Sequence, residues 1–231
     1  MSNLELVLAS ASPRRSELLR VLGLPFTVAV STIDEDTLTA TYQGSPQGLA
    51  LWLAEQKAHD VATAGLTGHR LILAADTTVI LQGRQLGKPK DATTAIVMLR
   101  ELRGQQHEVV TGVVLLDTRT GQAYRAQAST SVTMRRYGDD EIGAYVASGD
   151  PLDKAGAYAI QHPEFRPVAC IAGCYLNVIG LPLCLVALLL HCAGIAVPPG
   201  RGVGLCGWSL HCTSPLPEAL QHCGKTTFHH R

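Results

Sequence analysis

The sequence predicts an α/β fold with a mixed, partly antiparallel sheet, and three observations carry that prediction. Short β-type runs alternate with helical patterns from the amino terminus onward. "LILAAD", Leu71 to Asp76, is an unbroken apolar run, typical of a strand buried on both faces. Farther along, Glu108 to Leu116 and Ala123 to Met134 flank a turn at Thr118 to Gly121. The second of these alternates, so the pair reads as antiparallel strands with one solvated face.

Each element has a local reason. Leu4 to Ala9 is the first strand. Ser12 and Pro13 then supply an N-cap and a first-turn proline, Leu18, Leu19 and Leu22 follow at helical spacing, and Gly23 stops the helix. Phe26 to Val30 is a second strand running into the acidic loop "STIDED". Ser45 with Pro46 opens a long helix to about Ala64, whose rows Leu49, Leu53, Lys57 and Ala50, Ala54, Ala58 stack at four-residue steps. Lys57 therefore continues an apolar row. The buried strand ends on the carboxylate of Asp76, "LQGRQL" suggests a hairpin around Gly83, and Asp91 caps a helix from Ala92 to about Leu102. A short helix at Asp139 to Ala147 precedes the glycine-containing loop "SGDPLDKAGAYAIQ". Strands at Val168 to Ala172 and Leu176 to Ile179 feed a terminal helix near Pro182.

Composition excludes several classes. The 231 residues suffice for a sizeable core, and 19 basic residues balance 19 acidic ones. No global field draws the chain to nucleic acid or to an anionic membrane. The segment MSNLELVLAS has no basic stretch before an apolar core, so it does not read as a secretory signal. The apolar run from Leu181 to Val197 is broken by Pro182, His191 and Gly194 and is too short for a membrane span. Seven scattered cysteines read as reduced thiols of a cytoplasmic protein.

Two segments differ in character. Residues 1–197 form one domain, whereas 198–231 is a tail of Gly, Pro, Cys and His without sustained periodicity, expected to be mobile. Gly202, Gly204 and Gly207 have the spacing of a dinucleotide loop, but no strand precedes them. Gly224, Lys225 and Thr226 resemble the end of a P-loop, yet Ala219 stands where its first glycine belongs. Cys206, Cys212 and Cys223 with His211 and His222 lack the paired spacing of a structural zinc site.

The chemistry lies upstream. Arg14 and Arg15 occupy the first turn of a helix, where the dipole already presents positive charge, so an anion is expected there. Acids at Asp76 and at Asp34, Glu35 and Asp36 face a cation set of Arg14, Arg15, Lys57, Lys88 and Lys154. Hard oxygens to hold magnesium and cations to neutralise phosphate are the two halves of a phosphoryl-transfer site.

The ordered motifs "ASASPRRSELL", "IDED", "EQKA", "AADTTV", "GKP", "HEVVTGV", "GDPLDKAGAYAIQ" and "NVIGLPL" resemble the Maf family of nucleoside triphosphate pyrophosphatases, over residues 4 to about 195. The resemblance implies two lobes around a central cleft, similar to inosine triphosphate pyrophosphatases. It implies hydrolysis of a nucleoside triphosphate to the monophosphate and pyrophosphate. Asp76 matches the catalytic acid and metal-associated group. Glu35 matches a second acidic position that helps to hold magnesium, with manganese as the alternative ion. Ser12, Arg14, Arg15, Lys57 and Lys88 match positions around the triphosphate. Arg14, Thr77 and Gln161 fit the branch resembling dTTP and UTP pyrophosphatases, and a glutamine amide suits the imide edge of uracil or thymine. A homodimer is also implied.

His162 and Pro163 depart from the family pattern, in which a glycine commonly follows Gln161. His107 is a candidate base ranked behind Asp76, and Cys174 reads as a packed thiol rather than a nucleophile. The resemblance carries a second reading, a nucleotide-binding regulator of septum formation with little or no turnover. A zinc-dependent module centred on the tail ranks last.

Overall fold

Three strands of twelve residues each, β3 (Arg70–Leu81), β5 (Gln106–Asp117) and β6 (Ala123–Met134), run the length of the molecule and join its two lobes. The computed structural model describes residues 4–65 and 68–197. The tail with its glycine, cysteine and histidine motifs lies outside the described residues. Around the long strands, β1 (Glu5–Leu8), β2 (Thr27–Val28), β4 (Arg84–Leu86) and β7 (Val168–Ala172) complete a sheet ordered β2-β1-β3-β5-β6-β7, with β4 also paired to β3. β1 is parallel to β2 and β3, and the other pairings are antiparallel. The mixed α/β prediction is met.

The helices are α1 (Pro13–Arg20), α2 (Glu35–Thr41), α3 (Pro46–Thr63), α4 (Ala92–Leu102), α5 (Asp139–Ala147), α6 (Tyr175–Ile179) and α7 (Leu183–Cys192). In the first lobe, α1 and α7 cover one face of the sheet, burying Leu19, Leu71, Leu73, Leu115, Val186 and Leu189. The opposite face receives α3, whose Ala54, Ala58 and Val61 pack on Ile72, Ala74 and Val114. The second lobe builds a separate core from α4, α5 and the far ends of the long strands, with Leu99, Val109, Val132, Tyr137 and Tyr145.

Four sequence expectations need correction. "STIDED" is not all loop, because Asp34 caps α2: its Oδ1 accepts the N–H groups of Asp36 and Thr37 at 3.1 and 3.2 Å. Glu35 and Asp36 then suit the positive end of the helix dipole. Leu176 to Ile179 belongs to α6, not to a strand; β7 already holds the free edge of β6, and the Asn177 amide is drawn inward to Val109 O at 2.8 Å. The strand predicted over Phe26 to Val30 shrinks to two paired residues, since β1 gives way to the turn into α1. Lastly, Asp76 does not end its strand. The β-branched run Thr77 to Ile80 extends the ladder with β5 as far as Ile80.

That last correction positions the site. β1 pairs with β3 as far as Leu73, and β4 pairs from Val79, both on the edge of β3 opposite β5. Between them, Ala74 to Thr78 have no strand neighbour on that edge among the described residues. The gap is where the lobes part.

Candidate active site

A cleft of about 340 Å³ opens over this gap. Side chains alternate across the sheet, so Asp76 points to the α3 face and Thr77 to the α1 face. With no strand in the way, both line the same cleft.

On the α3 face a single ammonium joins two acids. Lys57 Nζ lies 2.6 Å from Asp76 Oδ1 and 3.0 Å from Glu35 Oε1. Lys57 is 6% exposed, within the row of buried residues that its four-residue spacing predicts. Burial pushes the Glu35 carboxyl up, but Lys57, Lys88 and Arg15 together hold it below its ordinary value. Asp76 Oδ2 makes no hydrogen bond among the described residues, so one of its oxygens is left for solvent or ligand.

On the α1 face, Ser12 Oγ caps the helix through Arg15 N, and Ser12 N donates to Ser10 Oγ at 3.2 Å. Ser16 N donates to Ser12 O, so the first-turn N–H of Arg14 stays without a partner among the described residues. Arg15 is braced: Nε donates to Gly180 O at 2.9 Å, Nη1 to Ser10 Oγ at 3.4 Å and Nη2 to Thr77 Oγ1 at 3.2 Å. Burial lowers the guanidinium pKa, an effect that Asp76 and Glu35 oppose. Arg14 reaches the other lobe, with Nη2 3.7 Å from Asp153 Oδ2.

The second lobe supplies the remaining wall. Lys88 is exposed at the rim and Gln161 lines the cleft with Ala159 and Ile160. Their loop is pinned from beneath: Tyr145 Oη accepts Ala159 N–H at 2.9 Å and donates to Asp150 Oδ2 at 2.7 Å. Lys154 Nζ is held by Asp150 O at 2.5 Å, Asp150 Oδ1 at 3.0 Å and Asp153 Oδ1 at 2.6 Å. All three donors of this ammonium are engaged, so Lys154 braces the loop.

Residues 5–193 match the family described as "Maf-like protein". The chain belongs to the Maf family. It is 48% identical over 192 residues to a dTTP/UTP pyrophosphatase of Thermomicrobium roseum (strain ATCC 27502 / DSM 5159 / P-2), covering 83% of this chain and 85% of the relative. A dTTP/UTP pyrophosphatase of Moorella thermoacetica (strain ATCC 39073 / JCM 9320) is 50% identical over 194 residues, 84% of this chain and 97% of the relative. One from Geobacter sp. (strain M21) is 46% identical over 194 residues, 84% of this chain and 98% of the relative.

In this Maf domain, the residues that the family resemblance assigned to the site line one cleft: Ser12, Arg14, Arg15, Glu35, Lys57, Asp76, Thr77, Lys88 and Gln161. His107 stays outside it. It is buried, burial pulls its imidazole down to about 4, and Nε2 pairs with Tyr158 Oη at 2.8 Å. Cys174 is buried at the start of α6 and is not part of the cleft wall. Among the loop acids only Glu35 reaches the Maf site, while Asp34 serves as a cap.

Sequence reasoning missed Ser10, Asp153 and the hydroxyl of Thr111, which underlies Thr77. Ser10 sits inside "ASASP", and its two-residue offset from Leu8 places it on the α1 face. Thr111 carried no local signal, because it meets Thr77 only through the β3–β5 register. No helix among the described residues is long and apolar enough to cross a membrane.

Proposed function

We propose that this chain hydrolyses dTTP and UTP to the nucleoside monophosphate and pyrophosphate. The observation that carries the reading is the single cleft in which the Lys57-linked acids Glu35 and Asp76 face the α1 amino terminus and its arginines. The relatives named dTTP/UTP pyrophosphatase at 46 to 50% identity support the same reaction.

In this reading the triphosphate lies against Arg14 N–H, Arg15 and Lys88, and crosses the open edge of β3. The free Oδ2 of Asp76 takes a proton from the water that attacks the α-phosphorus, and pyrophosphate leaves. Lys57 holds Asp76 in place and adds positive charge where negative charge develops. The reaction needs positioning and electrostatics, and no covalent intermediate.

The donor set also suits a hard divalent ion. Glu35 and Asp76 are neighbouring carboxylates on the wall of the same cleft, and oxygen is the ligand that magnesium or manganese takes. Among the described residues no group of three His, Cys, Asp or Glu forms. Glu35 and Asp76 would therefore hold the ion together with phosphate and water oxygens. When bound, it supplies Lewis-acid stabilisation of the phosphoryl oxygens.

Gln161 is proposed to read the base, presenting both a donor and an acceptor to an imide edge. Gln161→Glu is expected to lower the preference for dTTP and UTP over CTP; an unchanged preference removes that role. The proposal includes a homodimer in the cytoplasm, which sedimentation and fractionation test.

The deciding experiment measures pyrophosphate release from dTTP, UTP, CTP, 7-methyl-GTP and ITP, with magnesium or EDTA, beside Asp76→Asn. Metal-dependent release fastest with dTTP or UTP and abolished in the variant is the expected result. Nucleotide binding without turnover would favour the regulatory reading.

A further inference from the structure

The hydroxyl of Thr77 stands in a chain of hydrogen bonds whose direction can be assigned atom by atom. The main-chain carbonyl of Asn177 can only accept, so at 3.0 Å it takes the proton of Thr111 Oγ1. Thr111 is fully buried and has no second proton to give. Its oxygen therefore accepts from Thr77 Oγ1, 2.9 Å away. Thr77 in turn has one proton, now committed to Thr111, and one lone pair occupied by Arg15 Nη2–H at 3.2 Å. What Thr77 keeps for the cleft is a single lone pair.

The surroundings hold this arrangement. Thr77 and Thr111 are direct cross-strand partners, so their side chains share a face. Gly180 has φ 116°, and a Cβ there would lie 3.2 Å from Thr77 Oγ1, so glycine leaves the hydroxyl its room. The Asn177 amide is itself fixed by Nδ2 bonds to Val109 O at 2.8 Å and Thr130 Oγ1 at 2.9 Å. The main-chain carbonyl that sets the polarity is oriented by α6, in which Asn177 lies, and these side-chain bonds anchor that helix to β5 and β6.

We infer that Thr77 reads its ligand only as a hydrogen-bond acceptor, a polarity imposed by Thr111 and Asn177, and meets a donor of the nucleotide rather than a phosphate oxygen. The inference rests on the nucleotide reading above. Phosphate oxygens accept, and two acceptors facing one another repel. The donors a pyrimidine nucleotide can offer here are the imide N–H of the base and a hydroxyl of the sugar. Thr111 and Asn177, which do not line the cleft, are then positioning residues.

The test uses affinity, so it does not depend on turnover. Calorimetry compares α,β-methylene-dTTP with its N3-methyl derivative, which lacks the imide donor, and its 3′-deoxy derivative, which lacks the sugar donor. The proteins are the unaltered chain, Thr77→Val, Thr111→Val and Thr111→Ser. Both valine variants are expected to weaken binding of the parent ligand about fivefold to tenfold, and Thr111→Ser to bind normally. The valine effect should disappear for one of the two derivatives, which names the donor. A loss of equal size on all three ligands, or no loss in Thr77→Val, overturns the inference. If Thr111→Val does not fold, the Thr77→Val comparison decides alone. Absence of hydrolysis by the unaltered chain would count against the reaction and leave this result standing.

Discussion

Lys57 concentrates the electrostatics of the site at one atom. Its ammonium satisfies Asp76, which is 7% exposed, and Glu35, so removing it strands a nearly buried carboxylate. Lys57→Met is expected to cost about 3 kcal/mol in urea unfolding and to lower turnover by at least about 100-fold. Near-normal turnover would remove Lys57 from the reaction. Two groups, buried His107 and half-buried Glu35, set separate pH windows. His107 is pulled by burial from 6.5 to about 4. The unfolded chain then binds the extra proton first, and stability falls by about 3 kcal/mol as pH drops from 6.5 to 4. Glu35 is held below its ordinary 4.5, so the stability it contributes is present above that value and is lost as pH falls below it. His107→Gln should flatten the upper window and Glu35→Gln the lower one, read as unfolding free energy against pH. A variant that flattens the wrong window refutes its assignment.

At the scale of elements, the depth of α3 governs the Lys57–Asp76 distance, and one glycine sets that depth. Gly112 lies directly across from Asp76 in the β3–β5 ladder. A Cβ there would come within 2.3 Å of both Cα and N of Leu51, atoms of the α3 backbone that cannot rotate aside. Gly112→Ala should lift α3 from the sheet, cost about 3 kcal/mol and lower kcat more than it raises KM. An unchanged kcat in folded protein would mean that α3 adjusts without moving Lys57. Elements with a cap or a strong period were legible in the sequence. The bounds predicted for α4, β6, α5 and β7 are those observed, and for α4 and β6 the reason is local, the Asp91 cap in one and the alternation in the other. α2 and α6 were not legible. Their five to seven residues are too short for a periodic signal, and what forms them is the Asp34 cap in one case and a buried Asn177 in the other.

For the whole molecule, the decisive feature is the break on one edge of β3, which lets residues from opposite faces of the sheet share a cleft. Apart from Asp153, the charged and amide side chains assigned to that cleft were readable, since they stand in short contiguous motifs. Thr111, Gly112 and Asp153 were not, because their roles depend on strand register and on how the lobes approach. Asp153 is the clearest case. It is 67% exposed and lies 3.7 Å from Arg14, so the pair adds little to stability, yet it spans the cleft from the 150–161 loop to α1. In the structure Arg14 is partly neutralised by Asp153, and a bound triphosphate must compete for the same guanidinium while sitting near a carboxylate of its own sign. Asp153→Asn removes that competition and keeps an oxygen for Lys154. It is expected to change unfolding free energy by less than about 0.5 kcal/mol and to lower the KM for dTTP about threefold. The gain should shrink as salt is raised, since exposed charges are screened. A rise in KM would instead show that Asp153 orients Arg14 for the phosphates, making the cross-cleft pair a guide and not a competitor.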